Sequence, residues 1–221
     1  FFKEFTEEAE IWNSIDSHEN IVGVLDWGRK PHPWIALEYM NDGNLRQKDL
    51  STWRAAEVLT DVASATHHAH RHGIAHTDLK PENILFNTDV DGSRRVKVAD
   101  WGLARVLLDH SESVKGLTTN YSAPEQVDPV EYGGVDDRTD IYQTAAIAYE
   151  QFTGRPVFDY DSNAAVLNAI INKKPRPPSE LNKELPAEVD DVLLKALSKD
   201  KADRQASVLY LRDEIQNAFG I

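Results

Sequence analysis

In the first fifteen residues Phe5, Ala9, Trp12 and Ile15 recur at helical spacing with Glu7, Glu8 and Glu10 between them, which predicts an amphipathic helix over about 3–15. Two apolar runs follow, IVGVLDW at 21–27 and PWIALEY at 33–39. They read as strands around the turn-prone segment 28–32. Asn41, Asp42 and Gly43 then break the pattern, as a hinge between a small first lobe (1–40) and a larger second one (41–221) would. A long helical pattern covers about 52–72 and is closed by Gly73 as C-terminal cap. RVKVA at 95–99 reads as a short strand, and 100–125 is polar and aperiodic, as a long functional loop is. Helical periodicity returns over about 138–153, 162–172, 187–198 and 206–218.

Composition narrows the function classes. With 221 residues and 41% apolar content, the chain has enough apolar surface for one large domain or two lobes around a cleft. No apolar run approaches the roughly 18 residues of a membrane span, and no signal-peptide pattern opens the chain. The chain starts at Phe1 and Met40 is its one methionine, so a preceding part of the parent protein is expected to be missing. The absence of cysteine excludes disulfides and thiolate metal sites and is compatible with a cytoplasmic location. A net charge of −13 argues against nucleic-acid binding and mainly serves solubility, while permitting basic protein partners.

The densest chemistry lies in GIAHTDLKPENILF, residues 73–86, which sets Asp78, Lys80 and Asn83 close together. A carboxylate can orient a hydroxyl and accept its proton. An amide oxygen can ligate Mg²⁺, and an ammonium can neutralise charge on a phosphoryl group in flight. Phosphoryl transfer needs a second carboxylate on the metal, and Asp100 follows the strand-like RVKVA.

Together these motifs resemble the eukaryotic-type protein kinase family. His76-Thr77-Asp78 with Asn83 is similar to its catalytic loop, Asp100-Trp101-Gly102 to its magnesium triplet, and Ala123-Pro124-Glu125 to the end of its activation segment. Asp140 resembles the buried aspartate that anchors the catalytic loop, and Arg204 the partner of Glu125. The resemblance implies an α+β, protein-kinase-like two-lobe fold, with a truncated small β lobe and a mainly helical large lobe. It implies ATP and Mg²⁺ as cofactors and Ser/Thr residues of proteins as acceptors, since LKPEN and Thr118 match the serine/threonine class. The roles it carries over are Asp78 as base, Lys80 as charge stabiliser, Thr118 beneath the acceptor, and Asn83 and Asp100 on the metal. Glu8, Leu37, Glu38, Met40, Asn44 and Leu85 join Asp100 as cofactor-binding positions. Glu38 to Met40 form the adenine hinge, Leu37 guards the pocket behind it and Leu85 is its floor. Trp12, Val24, His76 and Trp101 match the stack that links the lobes.

Departures from the family pattern carry expectations of their own. No glycine-rich loop and no suitable lysine precede Glu8, because Lys3 lies on the same predicted helix and Lys30 in a turn. Truncation of the parent's first strands is expected, with little activity from residues 1–221 alone. Thr77 stands where many kinases have an arginine that receives an activation-segment phosphate. Phosphorylation of Ser111, Ser113 or Thr119 is therefore not the expected switch. Leu117 replaces the usual glycine. A pseudokinase scaffold and a small-molecule phosphotransferase of the aminoglycoside kinase type are the rival readings. His67, His68, His70, His72 and His76 read as helix-terminal imidazoles rather than a zinc site. Asp26, Asp42, Asp61, Asp136 and Asp137 read as solvated or helix-capping carboxylates.

Overall fold

A computed structural model describes residues 2–101 and 119–221, with side chains from Ala9 onward. Helix α1 spans Phe2–Ile15. Its apolar face sends Ala9, Trp12 and Ile15 into the core, and the Trp12 indole donates to the Val22 carbonyl at 2.8 Å. Strands β1 (Val24–Gly28) and β2 (Trp34–Leu37) form an antiparallel pair with Val24 opposite Leu37. β1 is shorter than the sequence pattern suggests, because Ile21 and Val22 turn to the second sheet instead. Ile21 bridges Val98, and the Val22 amide donates to the Val98 carbonyl at 3.0 Å.

That second sheet pairs β3 (Ile84–Thr88) with β4 (Arg94–Val98), antiparallel. The strand β3 is absent from the sequence-based expectation, which treats 84–86 as part of a loop. Ile84, Phe86, Val96 and Val98 bury one face of the ladder against the core. Helix α2 (Thr52–Arg71) runs beneath this sheet, N-capped by Ser51, and Gly73 follows it at φ 73°, a left-handed conformation that glycine adopts without strain.

The large lobe continues with short helices α3 (Pro124–Val127) and α4 (Pro129–Tyr132), then α5 (Asp137–Thr153). The sequence pattern does not signal α3 and α4, whose four residues each are too few for a helical period. Helices α6 (Asn163–Asn172), α7 (Pro178–Leu181), α8 (Glu188–Ala196) and α9 (Val208–Phe219) complete the chain. Twelve of the residues of α5 are buried, polar ones among them, so it forms the centre of this lobe, with α2, α8 and α9 packed around it. A helix buried nearly all round must satisfy its polar side chains internally. Those of α5 do so at the functional site.

Asp136 caps α5 through the Arg138 amide, as expected of a capping carboxylate. Asp61 departs from the solvated reading. It is part-buried on α2, and burial pushes its carboxyl up to about 6 against the pull of Arg54. No helix among the described residues is long and apolar enough to cross a membrane.

Candidate active site

The loop carrying Asp78 is tied to the start of α5 by buried bonds. One oxygen of Asp140 accepts from the Thr77 amide at 2.7 Å, and the other from the His76 amide at 2.8 Å and His70 Nε2 at 2.7 Å. One helical turn on, Gln143 accepts from the Leu79 amide and donates to the Thr77 carbonyl, both at 2.9 Å. Gln126 of α3 donates to the same carbonyl at 2.7 Å. Among the described residues the only non-glycine positive φ values belong to Thr77 (60°) and Asp100 (63°). Such a conformation costs a β-branched residue of order 1–3 kcal/mol and persists only where surrounding bonds over-determine it. At Thr77 three side chains supply those bonds.

His76 lies beneath the loop. Its Nδ1 accepts from the Asp78 amide at 3.3 Å and its Nε2 donates to the Ala99 carbonyl at 2.9 Å, so the Nε2–H tautomer satisfies both contacts. Its ring packs edge-on against Trp101, 4.8 Å between centroids. The Trp101 indole is fully buried and donates to the Val98 carbonyl at 3.1 Å. The loop bearing Asp78 and the strand end bearing Asp100 are thereby held to one another.

Lys80 Nζ donates to Asp78 Oδ2 at 2.5 Å, with both side chains partly exposed. One Asp78 oxygen is thus paired with a cation, and the other is left to accept a proton. Asn83, 2% exposed, donates through Nδ2 to the Asp78 carbonyl at 3.0 Å, which leaves Oδ1 as the amide atom for a cation. The Ala99 amide donates to the Asn83 carbonyl at 2.9 Å, extending the Ile84–Val98 pairing by one step. Asn83 and Asp100 accordingly sit at the same end of the β3–β4 ladder. Among the described residues no three His, Cys, Asp or Glu side chains form a metal-holding group. Two oxygen ligands at a ladder end are the donor set for Mg²⁺, which keeps waters and takes phosphate oxygens in its remaining positions. The residues present therefore fit that ion.

Of the positions the resemblance assigns to the cofactor, Asn44, Leu85 and Glu38 meet the same ladder. Asn44 bridges Leu85, and the Phe86 amide donates to the Gly43 carbonyl at 2.9 Å, so the segment after Met40 lies along β3. Asn44 Oδ1 is buried without a partner. The Glu38 carboxylate accepts from Lys97 at 2.6 Å, opposite Leu85 in the ladder, and from the Gly23 amide at 3.2 Å. Burial alone would raise its pKa, but these bonds hold the carboxyl below its ordinary value. The Glu38 amide donates to the Gly23 carbonyl at 2.9 Å, while the Glu38 carbonyl and Met40 amide join none of the backbone bonds among the described residues. An acceptor and a donor two residues apart on a part-buried segment can pair with a flat heterocycle.

Comparison with known proteins decides what this arrangement belongs to. The protein kinase domain family matches residues 2–214. The chain belongs to that family. It is 33% identical to the serine/threonine-protein kinase PknB of Mycobacterium tuberculosis over 97% of its length and 36% of that protein's. With the serine/threonine-protein kinase Pkn1 of Myxococcus xanthus it shares 36% identity over 97% of this chain and 32% of the relative. The chain thus spans about a third of the length of the curated relatives it matches. The crystal structure of the Mycobacterium tuberculosis PknI kinase domain superposes with a TM-score of 0.73 at 27% identity, covering 98% of this chain and 78% of that one. The fold is that of the protein kinases: α+β, with two small sheets and a mainly helical large lobe.

Within this kinase domain the sequence-predicted residues fall as follows. Asp78 pairs with Lys80 and its carbonyl accepts from Asn83, whose own carbonyl accepts from the Ala99 amide just before Asp100, while Asn44 bridges Leu85 of β3 and Glu38 meets Lys97 of β4. Glu8 lies on α1, but its side chain and all of Thr118 are outside the described residues, as are Gly102, Ser111, Ser113 and Leu117. Glu125 and Arg204 form a fully buried bidentate pair at 2.8 Å, to which Thr139 adds a hydrogen bond.

Five contributors escape the sequence reading: Gln126, Gln143, Arg46, Tyr121 and Glu150. Arg46 pairs with Glu82 at 2.9 Å and Glu150 at 2.8 Å, and the Tyr121 hydroxyl bonds both Arg46 and Glu150. Burial and the neighbouring Glu150 push the Tyr121 phenol well above its ordinary range, so it remains a donor. This cluster fastens segment 119–123 beside Glu82 of the loop carrying Asp78. A signal existed for Gln143, three residues after Asp140 on one helix face. None existed for Arg46 or Tyr121, whose partners are distant in sequence.

Proposed function

We propose that the chain is the catalytic domain of a protein serine/threonine kinase that transfers the ATP γ-phosphoryl group to Ser or Thr of protein substrates. The observation that supports this reading is that Asp78, paired to Lys80, and Asn83 are tied to one another and, through the Ala99 amide, to the strand end that precedes Asp100. Asp78 takes the acceptor hydroxyl's proton on the oxygen not paired to Lys80, while Lys80 offsets charge on the phosphoryl oxygens. Asn83 Oδ1 and Asp100 would hold the metal. Bound Mg²⁺ supplies charge neutralisation on the phosphates. The adenine is taken at Glu38 and Met40, over Leu85, with Leu37 behind and Asn44 at the rim. Glu8 and Thr118 complete the assignment as phosphate-lysine partner and acceptor support. The division into lobes 1–40 and 41–221 places the nucleotide between them, and use of ATP with Mg²⁺ implies a cytoplasmic site of action.

A phosphate lid and its lysine are not among residues 1–221, so turnover by these residues alone is expected to be low. The test is transfer of radiolabel from Mg-ATP to Ser- and Thr-containing protein by the full protein, with Asp78→Asn and Asp100→Ala as controls. Transfer lost in both variants is the expected result. Binding of Mg-ATP without any transfer would replace this reading by the scaffold one, and transfer to a small-molecule hydroxyl but to no protein would replace it by the small-molecule one.

A further inference from the structure

Although the chain carries a net charge of −13, a pocket of about 270 Å³ beside the far end of α5 is basic. Its floor is apolar: Tyr149, Val157 and Phe158 are buried there. Its rim carries Arg155, Lys173, Lys174 and Arg176, all exposed, against a single acid, Asp159. Lys173 is set in place by the Tyr160 hydroxyl at 2.7 Å and lies 4.6 Å from that ring's centroid. Arg176 pairs with exposed Glu180 at 3.2 Å. Arg155 and Lys174 have no side-chain hydrogen bond or ion pair among the described residues. Behind the floor, the Lys199 ammonium is buried without a hydrogen-bond partner, 4.7 Å from the Phe158 centroid. Burial, aided by Arg204, pushes it down to about 8.

Gathered cations with few internal partners repel one another, and an anion at the rim relieves that repulsion. An apolar floor beneath them selects for a large apolar side chain alongside the negative charge. A nucleic acid or an anionic membrane presents negative charge over an extended surface and meets the repulsion of a strongly acidic chain along its whole length, whereas a short peptide meets the chain only at the basic rim. A peptide offers both features.

We infer that this pocket docks an acidic segment of the protein substrate, bearing a large apolar residue flanked by Asp or Glu. The inference rests on the kinase reading for the identity of the peptide as substrate. Helix α5 connects the two sites, since Asp140 holds the catalytic loop near its start and Tyr149 lines the pocket roughly 13 Å further along the axis. An extended chain covers that span in about four residues, so the acidic segment lies at least that far from the acceptor.

The test uses the full chain and a fluorescently labelled peptide with a central Phe among Asp and Glu, compared with its Asn/Gln isostere. The acidic peptide is expected to bind at least tenfold tighter than the isostere, and less tightly as salt rises. The double variant Arg155→Ala/Lys174→Ala should weaken it at least tenfold while leaving the thermal transition unchanged, both residues being exposed. Equal binding of the two peptides, or an unaltered double variant, overturns the proposal. So does binding confined to phosphatidylserine vesicles or inorganic phosphate. In transfer assays with the full protein, the double variant should raise KM for a substrate carrying the segment and leave kcat, and KM for one lacking it, unchanged. Absence of transfer to both substrates, with peptide binding intact, counts against the kinase reading and not against the pocket. Equal KM changes for both substrates count against the pocket.

Discussion

The β3–β4 sheet and the β1–β2 sheet make an instructive contrast. Both sheets have two strands, and an isolated two-stranded sheet is marginal in water. The β3–β4 pair is covered by α2 and locked at one end by Asn83, Ala99, His76 and Trp101. In β1–β2 no residue is fully buried, and Leu25 is 71% exposed. The difference lies in how polar groups are satisfied. Around Asp78 they meet the buried Asp140 carboxylate and Gln143 amide of α5, whereas in the smaller sheet they meet neighbours on an exposed surface. The proposed role of Asp78 requires it to hold position to a fraction of an ångström, and the polar start of α5 fixes the backbone on either side of it.

Removing the central anchor should show the largest effect. Asp140→Ala strips the acceptor from two buried amides and His70, and is expected to cost about 3–5 kcal/mol in urea unfolding. A loss below about 1 kcal/mol would erase the contrast between the sheets. Next comes Glu125→Ala, which leaves Arg204 charged and fully buried, at about 3 kcal/mol or more. Adding Arg204→Met should restore part of that stability, because the pair's energy is largely the penalty of leaving one charge alone.

The sequence discloses the chemistry better than the scaffold that aims it. The candidates Asp78, Lys80, Asn83 and Asp100 can be picked out because one short loop and one strand end carry them at fixed spacing, and their roles stand as proposed above. The Asp140 anchor is legible through family likeness. Gln126, Arg46, Tyr121 and Glu150 are not, because their roles arise from tertiary meetings of segments that carry no motif. β3 is missed because ILF before a polar turn reads alike as strand or buried loop. Ile21 and Val22 look like the start of β1 until Val98 is seen to recruit them.

Smaller effects sharpen the contrast. Trp101→Phe removes the indole bond to Val98 and is expected to cost about 1–2 kcal/mol. An unchanged stability with an altered rate would instead assign Trp101 a role in positioning α1. The smallest is the pH response of Asp61. Its folded pKa, about 6, lies above the ordinary 3.8, so the ionised form penalises folding above pH 6 and that penalty fades as pH falls toward 3.8. Asp61→Asn should therefore raise the Tm at pH 7 and leave it little changed near pH 4. After allowance for solvent screening the gain is on the order of 1 kcal/mol or less. An equal shift at both pH values would remove the titration from the account.

The most direct measurement of the central claim is native-state amide hydrogen exchange at single residues. The Thr77 and His76 amides, held by Asp140, should exchange only through global unfolding, while the Trp27 amide, bonded to the exposed Asp26 carboxylate, should exchange through local opening many times faster. Thr77 exchanging as fast as Trp27 would contradict the claim that buried bonds to α5 hold the loop carrying Asp78.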